Sequence, residues 1–239
     1  MTELNKSLER AISIINQIAV ENAVGVRELS RITGCSLTQT EKIVKTLEEH
    51  KYVDKDESGK IVLGRELYYL GKLVESRVDA IQIMLQEIQD LVKDIDETVY
   101  ICQRRNKHTV FIEGIQSSHA IQYVPVMGTP YDLPYGATGK AFMAFMKEEE
   151  VLDMLNFYQI EPDKILAQLP DIRKNGYSTS IQERFEGLAG IAFPLVGKDG
   201  SASFVLDIAI PTYRYSDEKG EYIIQRTKKT VDKLLTIAN

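Results

Sequence analysis

The sequence predicts an α+β protein in two parts, a small and mainly helical unit followed by a larger unit built on a mainly antiparallel sheet. Three observations predict it. Up to about His50, apolar residues recur at steps of three and four. From Thr98 to Ile210, short strand-like runs alternate with helical ones. Near Ser76 the helical phase slips by one residue, which divides the chain into residues 1–75 and 76–239. The 239 residues suffice for cores of this size, and 44% hydrophobic with 27% charged residues is ordinary for a folded chain.

Leu8, Ala11, Ile12, Ile15, Ile18 and Ala19 place an amphipathic helix over about Ser7 to Val20, with Asn5 or Ser7 as its cap. A shorter helix turns Val26, Leu29 and Ile32 inward and stops at Gly34, a residue suited to the left-handed end of a helix. Ser36 caps a third helix, and Gln39 stands three positions on, the spacing of a capping box. Leu37, Thr40, Val44 and Leu47 lie on its inner side, and it ends near His50. Tyr52-Val53 and Ile61–Leu63 read as a hairpin around the polar turn 54–59, with Ser58-Gly59 in the turn.

Helix, short helix, tight Gly-containing turn, helix and hairpin make a winged helix-turn-helix. The turn Thr33–Ser36 lets two helices cross steeply and leaves the outer face of the third open. That face carries Thr38, Gln39, Glu41, Lys42 and Lys45, among them amide and ammonium groups able to reach base edges and phosphates. A merely solvated helix face is the competing reading, and Gln39 is lost to base reading where it caps its own helix.

Beyond Gly64, Leu67, Leu70 and Val74 mark a linker helix. Val78, Ile81, Leu85, Ile88, Val92 and Ile95 then mark a long helix that opens the second part. TVYICQ from Thr98, TVFIEGIQ from Thr109 and AIQYVPV from Ala120 are strand-like. GKAFMAFM, EEEVLDMLNF and the stretch from about Asp163 to Asn175 are helical, the last with a break or restart at Pro170 and an end at Gly176. GIAFPLV and SASFVLDIAI join across Lys198-Asp199-Gly200, and Asp217 to Ile237 closes as an amphipathic helix.

A net charge of −6 excludes a generic polycation, so any nucleic-acid binding is local and geometric. No apolar run approaches the ~20 residues of a membrane span, and MTELNKSLER has no signal-peptide core, so export is not expected. Cys35 and Cys102 form neither a disulfide framework nor a Cys-x-x-Cys pair, which makes a reducing cytoplasm the expected compartment. His50, His108 and His119 are scattered, with no metal-ligand spacing and no pairing with Cys or Ser. No cofactor and no enzymatic activity are expected, and Cys102 reads as a buried thiol.

In this order the strings SLERAISIINQIA, VRELSRITGCS, VKTLEEHKYV and GKIVLGRELYYLG, then LPYGATGKAFMA, IRKNGYSTS, EGLAGIAFPLVGKDG and VLDIAIP, resemble the IclR-type bacterial transcription regulators over nearly the whole chain. The resemblance implies a C-terminal domain similar to a GAF fold, double-stranded operator DNA and a small-metabolite effector as partners, and a homodimer or homotetramer. The family often carries Arg where this chain has Lys42, a point charge rather than a bidentate fork. Residues 1–64 hold nine basic and ten acidic side chains, so a unit near neutrality must grip DNA with placed groups. The candidates are Arg27, Arg31, Ser36, Thr38, Gln39, Lys42 and Lys45, with Lys55 and Lys60 on the wing.

Leu133–Lys140 looks superficially like a phosphate loop, but Pro134 and Ala141 stand where that loop needs Gly and Ser or Thr. Small residues that open a helix leave N–H groups free for an anion; the alternative is a plain turn whose glycines allow close packing. The resemblance implies that Ala137 and Thr138 line an effector pocket, with Tyr135 and Gly136 beside them. It carries Ser180, Gly190, Asp207 and Ala209 to the same pocket. An acid inside the apolar run VLDIAIP is costly unless paired. Period-2 alternation puts Val205 and Ala209 on its face, against the alternative of an outward side chain. A pocket-facing Asp207 favours a ligand with an amine or hydroxyl, with an anionic group at the Ala137 end. Two other readings stay open: a pocket filled by Leu133, Tyr131, Tyr135 and Phe142, with oligomerisation as the only sensing, or a GAF-like thiol enzyme using Cys102.

Overall fold

The computed structural model describes residues 4–75 and 79–237, and two compact units divide between residues 79 and 80. The phase slip near Ser76 lies outside the described residues.

The first unit runs α1 (Lys6–Glu21), α2 (Val26–Thr33), α3 (Leu37–Glu49), β1 (Val53–Lys55), β2 (Ile61–Leu63) and α4 (Arg65–Glu75). Asn5 caps α1, accepting the N–H groups of Ser7 and Leu8 through its side-chain oxygen. Gly34 ends α2 at φ 67°, and the Ser30 hydroxyl donates to the Cys35 carbonyl at 2.7 Å, which pins the turn. Ile14, Ile18, Val24, Leu29, Val44, Val53 and Ile61 form the core. Thr40 is buried with them, its hydroxyl donating to the Ser36 carbonyl at 3.1 Å. At Gly64 any side chain is excluded, because a Cβ would stand 2.2 Å from the Lys51 carbonyl oxygen.

Two sequence expectations shift here. Leu37 is exposed, because the first residue of α3 precedes the turn that meets the core, and Ile43 packs there beside Leu47. On α1 the buried stripe is Ile14 and Ile18, whereas Leu8 and Ile12 form a second, exposed apolar face.

The second unit opens with α5 (Asp79–Ile95), whose first residue still falls in the first unit. Six strands follow: β3 (Thr98–Arg105), β4 (His108–Ile115), β5 (Pro130–Asp132), β6 (Ser178–Ile181), β7 (Leu188–Val196) and β8 (Ala202–Pro211). They form one sheet in the order β5-β4-β3-β8-β7-β6, antiparallel at every step. Between β5 and β6 lie α6 (Gly136–Met143), α7 (Glu148–Phe157), α8 (Asp163–Leu166) and α9 (Leu169–Asn175), and α10 (Asp217–Ile237) comes last. Strand alternation sorts the two faces. Leu206, Ile208 and Ile210 pack with Ile88 and Leu91 of α5 and Ile223 and Leu234 of α10. Val205 and Ala209 point the other way, among Ala137, Ala141 and Phe142 of α6, Met154 and Leu155 of α7, and Leu169 and Ile172 of α9.

The expected strand at Ala120–Val126 is absent. Side chains hold that segment in place of a ladder: the Tyr100 hydroxyl donates to the Tyr123 carbonyl at 2.6 Å, and the Val126 N–H donates to the Tyr131 hydroxyl at 3.2 Å. The edge of β4 is taken instead by β5, a three-residue strand too short to show a period. The helical break falls before Pro170, which occupies the first turn of α9, where a missing N–H is harmless.

Candidate functional site

The N-terminal candidates lie on α2, on α3 and its cap, and on the wing hairpin. Ser36 accepts the backbone N–H of Gln39 at 3.4 Å, so capping takes Gln39's main chain while its side chain stays exposed. Thr38, Lys42 and Lys45 are exposed along the same face of α3, and Arg27 is exposed on α2. The wing is ordered by Asp56, whose carboxylate accepts from the Ser58 hydroxyl, the Ser58 N–H and the Lys60 N–H at 2.7–2.9 Å. Those bonds, the Ser58 hydroxyl first, hold the Asp56 carboxyl below its usual range. Lys60 is exposed at the wing tip. Lys55 is already engaged, with its ammonium 3.0 Å from both oxygens of Glu48, a pair that ties wing to α3. Arg31 has only a loose, exposed pair with Glu28 at 3.9 Å, a contact of little energetic weight.

In the second unit a cavity of about 30 Å³ opens beside the start of α6, space for about one water. Gly136, Ala137, Thr138, Ser180, Gly190, Asp207 and Ala209 all line it. Asp207 is 7% exposed and accepts from the Thr138 hydroxyl at 2.8 Å. Burial raises its carboxyl to about 6, against the Thr138 bond and the charge of Arg184, which pull it down. Tyr135 does not line this cavity. It precedes α6 with an extended backbone and lines an outer groove of about 400 Å³ with Tyr131, Asp132, Glu183, Arg184 and Phe185. The two readings of the Leu133–Lys140 segment divide between its glycines. Gly136, at φ 76°, borders the cavity. Gly139 serves packing, because a Cβ there would stand 1.6 Å from the Leu133 carbonyl oxygen.

Sequence reasoning missed the residues that close the cavity: Phe111, Tyr123, Phe185, Leu188 and, above all, Arg184. Arg184 donates through Nη2 to the carbonyls of Asp132 and Tyr135, at 2.6 Å each. Its neighbour Glu183 pairs at 2.6 Å with Lys140, a lysine of α6 only 5% exposed that also donates to Gln168. No periodic signal marks this loop; a Glu-Arg-Phe triplet in a polar turn reads as surface. The proposed fillers lie elsewhere: Leu133 and Phe142 belong to the core, and Tyr131 lines the outer groove. Cys102 is fully buried on β3, and burial together with the charge of Asp207 pushes its thiol well above the usual range, which leaves it a poor nucleophile. Among the described residues no cluster of three metal-ligating side chains forms, and no helix is long and apolar enough to cross a membrane.

Residues 7–57 match the family described as "IclR helix-turn-helix domain", and residues 73–236 match "Bacterial transcriptional regulator IclR C-terminal". The chain belongs to the IclR family. It is 23% identical over 237 residues to the HTH-type transcriptional regulator KipR of Bacillus subtilis, covering 95% of both chains. It is 28% identical over 231 residues to the HTH-type transcriptional regulator KdgR of Dickeya chrysanthemi, covering 91% of this chain and 75% of that one. The fold matches the crystal structure of an IclR family transcriptional regulator from Brucella abortus with a TM-score of 0.84, at 22% identity, over 98% of this chain and 93% of that one. The protein is thus a DNA-binding transcription regulator of the IclR family, with a C-terminal effector-binding domain.

Proposed function

We propose that residues 1–75 read double-stranded operator DNA with the outer face of α3, and that residues 76–239 bind a small-metabolite effector and join copies into a homodimer or homotetramer. The observation that carries the DNA reading is the exposure of Thr38, Gln39, Lys42 and Lys45 together on one helix face, with Lys60 exposed on the wing. Lys55 contributes by holding the wing against Glu48 rather than by reaching DNA itself. The cavity between α6 and β8 holds the effector. An effector shifts operator occupancy only by binding one arrangement of the paired heads better than another.

Apolar side chains that stay exposed in the first unit, Leu8 and Ile12 on α1 and Tyr68, Tyr69 and Val74 on α4, all at least half exposed, favour a further contact between copies besides the one made by residues 76–239. The regulator works in the cytoplasm and is not an enzyme; the buried, protonated state of Cys102 speaks against thiol chemistry.

The test is selection of genomic DNA fragments by the purified full chain. The expected result is enrichment of pseudo-palindromes with half-sites one or more helical turns apart. No enrichment, or sites without two-fold symmetry, overturns the reading.

A further inference from the structure

One hairpin tip separates the small cavity from the outer groove. β6 ends at Ile181 and β7 begins at Leu188. In the connection between them, Arg184 and Phe185 wall both the inner cavity and the groove of about 400 Å³. Behind those two side chains, Ala137, Thr138, Ser180, Asp207 and Ala209 are all buried. A space of about 30 Å³ admits a water and no metabolite. Moving Arg184 and Phe185 aside joins the cavity to the groove.

The base of the connection and its tip are held differently. At the base, the Gln182 N–H donates to the Leu188 carbonyl at 2.8 Å, and the Gly187 N–H donates to Gln182 Oε1 at 2.9 Å. The Gly187 carbonyl accepts from the Thr212 N–H at 2.8 Å, which ties the base to the end of β8. Gln182 at φ 56° and Gly187 at φ 76° turn the chain on either side of the tip. The tip is held only through side chains, and each reaches outside the hairpin. Glu183 meets the Lys140 ammonium of α6 at 2.6 Å. Arg184 donates to the Asp132 and Tyr135 carbonyls at 2.6 Å each. The Phe185 ring packs on that of Tyr123, with centroids 5.4 Å apart.

These contacts set a resting state. The Lys140 side chain is only 5% exposed, and without Glu183 its ammonium keeps just Gln168 Oε1 at 3.2 Å. A buried charge without its counter-ion is costly, so the tip is drawn back. Glu183 itself, 41% exposed along its side chain, turns to water at little cost.

We infer that residues 183–186 form a latched lid, shut by Glu183 on Lys140, Arg184 on two carbonyls and Phe185 on Tyr123, which swings about the fixed base at Gln182 and Gly187 to admit a ligand. Lys140 is then a positioning residue that acts through Glu183. The inference rests on the effector-site reading above and adds how that site is entered.

The test needs no ligand. Ser180→Cys places a thiol in the cavity of the full chain, and its alkylation by iodoacetamide is followed by intact mass. The chain without that substitution supplies the background, since Cys35 and Cys102 are both buried. Slow alkylation is expected while the lid is latched. Glu183→Gln, Arg184→Met and Phe185→Ala are each expected to speed it roughly tenfold or more, the weight of a lost bond to a charged group or of a lost ring contact. Glu87→Gln breaks an exposed pair with Lys233 on the other face of the sheet and is expected to leave the rate alone. Alkylation of the latched protein as fast as a free cysteine overturns the inference. So does an unchanged rate in all three latch variants, or a rise shared by Cys35 and Cys102, which reports general loosening. Should Ser180→Cys fail to fold, Ala137→Cys on the α6 wall carries the same measurement. Failure of this pattern sinks the lid and leaves the effector reading standing. A working lid, with no metabolite in a screen altering DNA binding, sinks the effector reading alone.

Discussion

Burial moves the Asp207 carboxyl from an ordinary 3.8 to about 6, and Thr138 and Arg184 only partly oppose it. A carboxyl raised in the folded state adds stability below its unfolded value and loses it as pH climbs through the folded one. The window is therefore about pH 4 to 6, and above it the charged Asp207 costs about 3 kcal/mol of folding free energy. Arg184 is the cation facing it. Tyr100, Cys102 and Tyr123, all pushed upward by burial, stay neutral across that window. Asp207→Asn keeps an acceptor for Thr138 and removes the charge. It is expected to melt higher than wild type near pH 7, by up to about 3 kcal/mol of stability, with the gap closing toward pH 4. Melting curves at both pH values check this, and a variant less stable near pH 7 shows instead that Arg184 outweighs burial. An acid kept where it weakens the fold is a sign of use rather than of packing.

At the scale of the element, α3 combines a buried side anchored by Thr40 and Val44 with an outer side free of core contacts. Lys42→Ala removes one exposed ammonium and no buried contact. We expect an unchanged melting temperature, about tenfold weaker DNA binding, and a log–log salt slope shallower by roughly 0.9 for each subunit that meets DNA. Titrations at several salt concentrations measure this, and an unaltered slope means that Lys42 touches no phosphate. Elements of this kind were legible because their signals are local. The cap at Ser36, the left-handed stop at Gly34 and the spacing of apolar residues act within a few positions of where they are read. AIQYVPV alternates like a strand yet forms none, because propensity cannot supply a neighbour and β5 already occupies the free edge of β4.

For the whole molecule, the exposed apolar face of α1 carries the expectation of self-association. Ile12 is half exposed and outside the core, so Ile12→Glu leaves the fold intact. Sedimentation is expected to show a smaller assembly than wild type, with weaker DNA binding as the second reading head is lost. An unchanged mass means that α1 contributes nothing and leaves self-association to the second unit alone.

The linear order of residues by itself determined the winged helix-turn-helix, the antiparallel sheet with its covering helices, and the face of β8 on which Asp207 lies, since each follows from periodicity, caps and turns within one segment. Only tertiary structure decided which residues share the cavity. Thr138 meets Asp207 across 69 positions, and Arg184 reaches Asp132 across 52. Arg184 sits in a polar turn with no periodic neighbours. Its partners are chosen by where the sheet and α6 place two carbonyls, which no local pattern encodes.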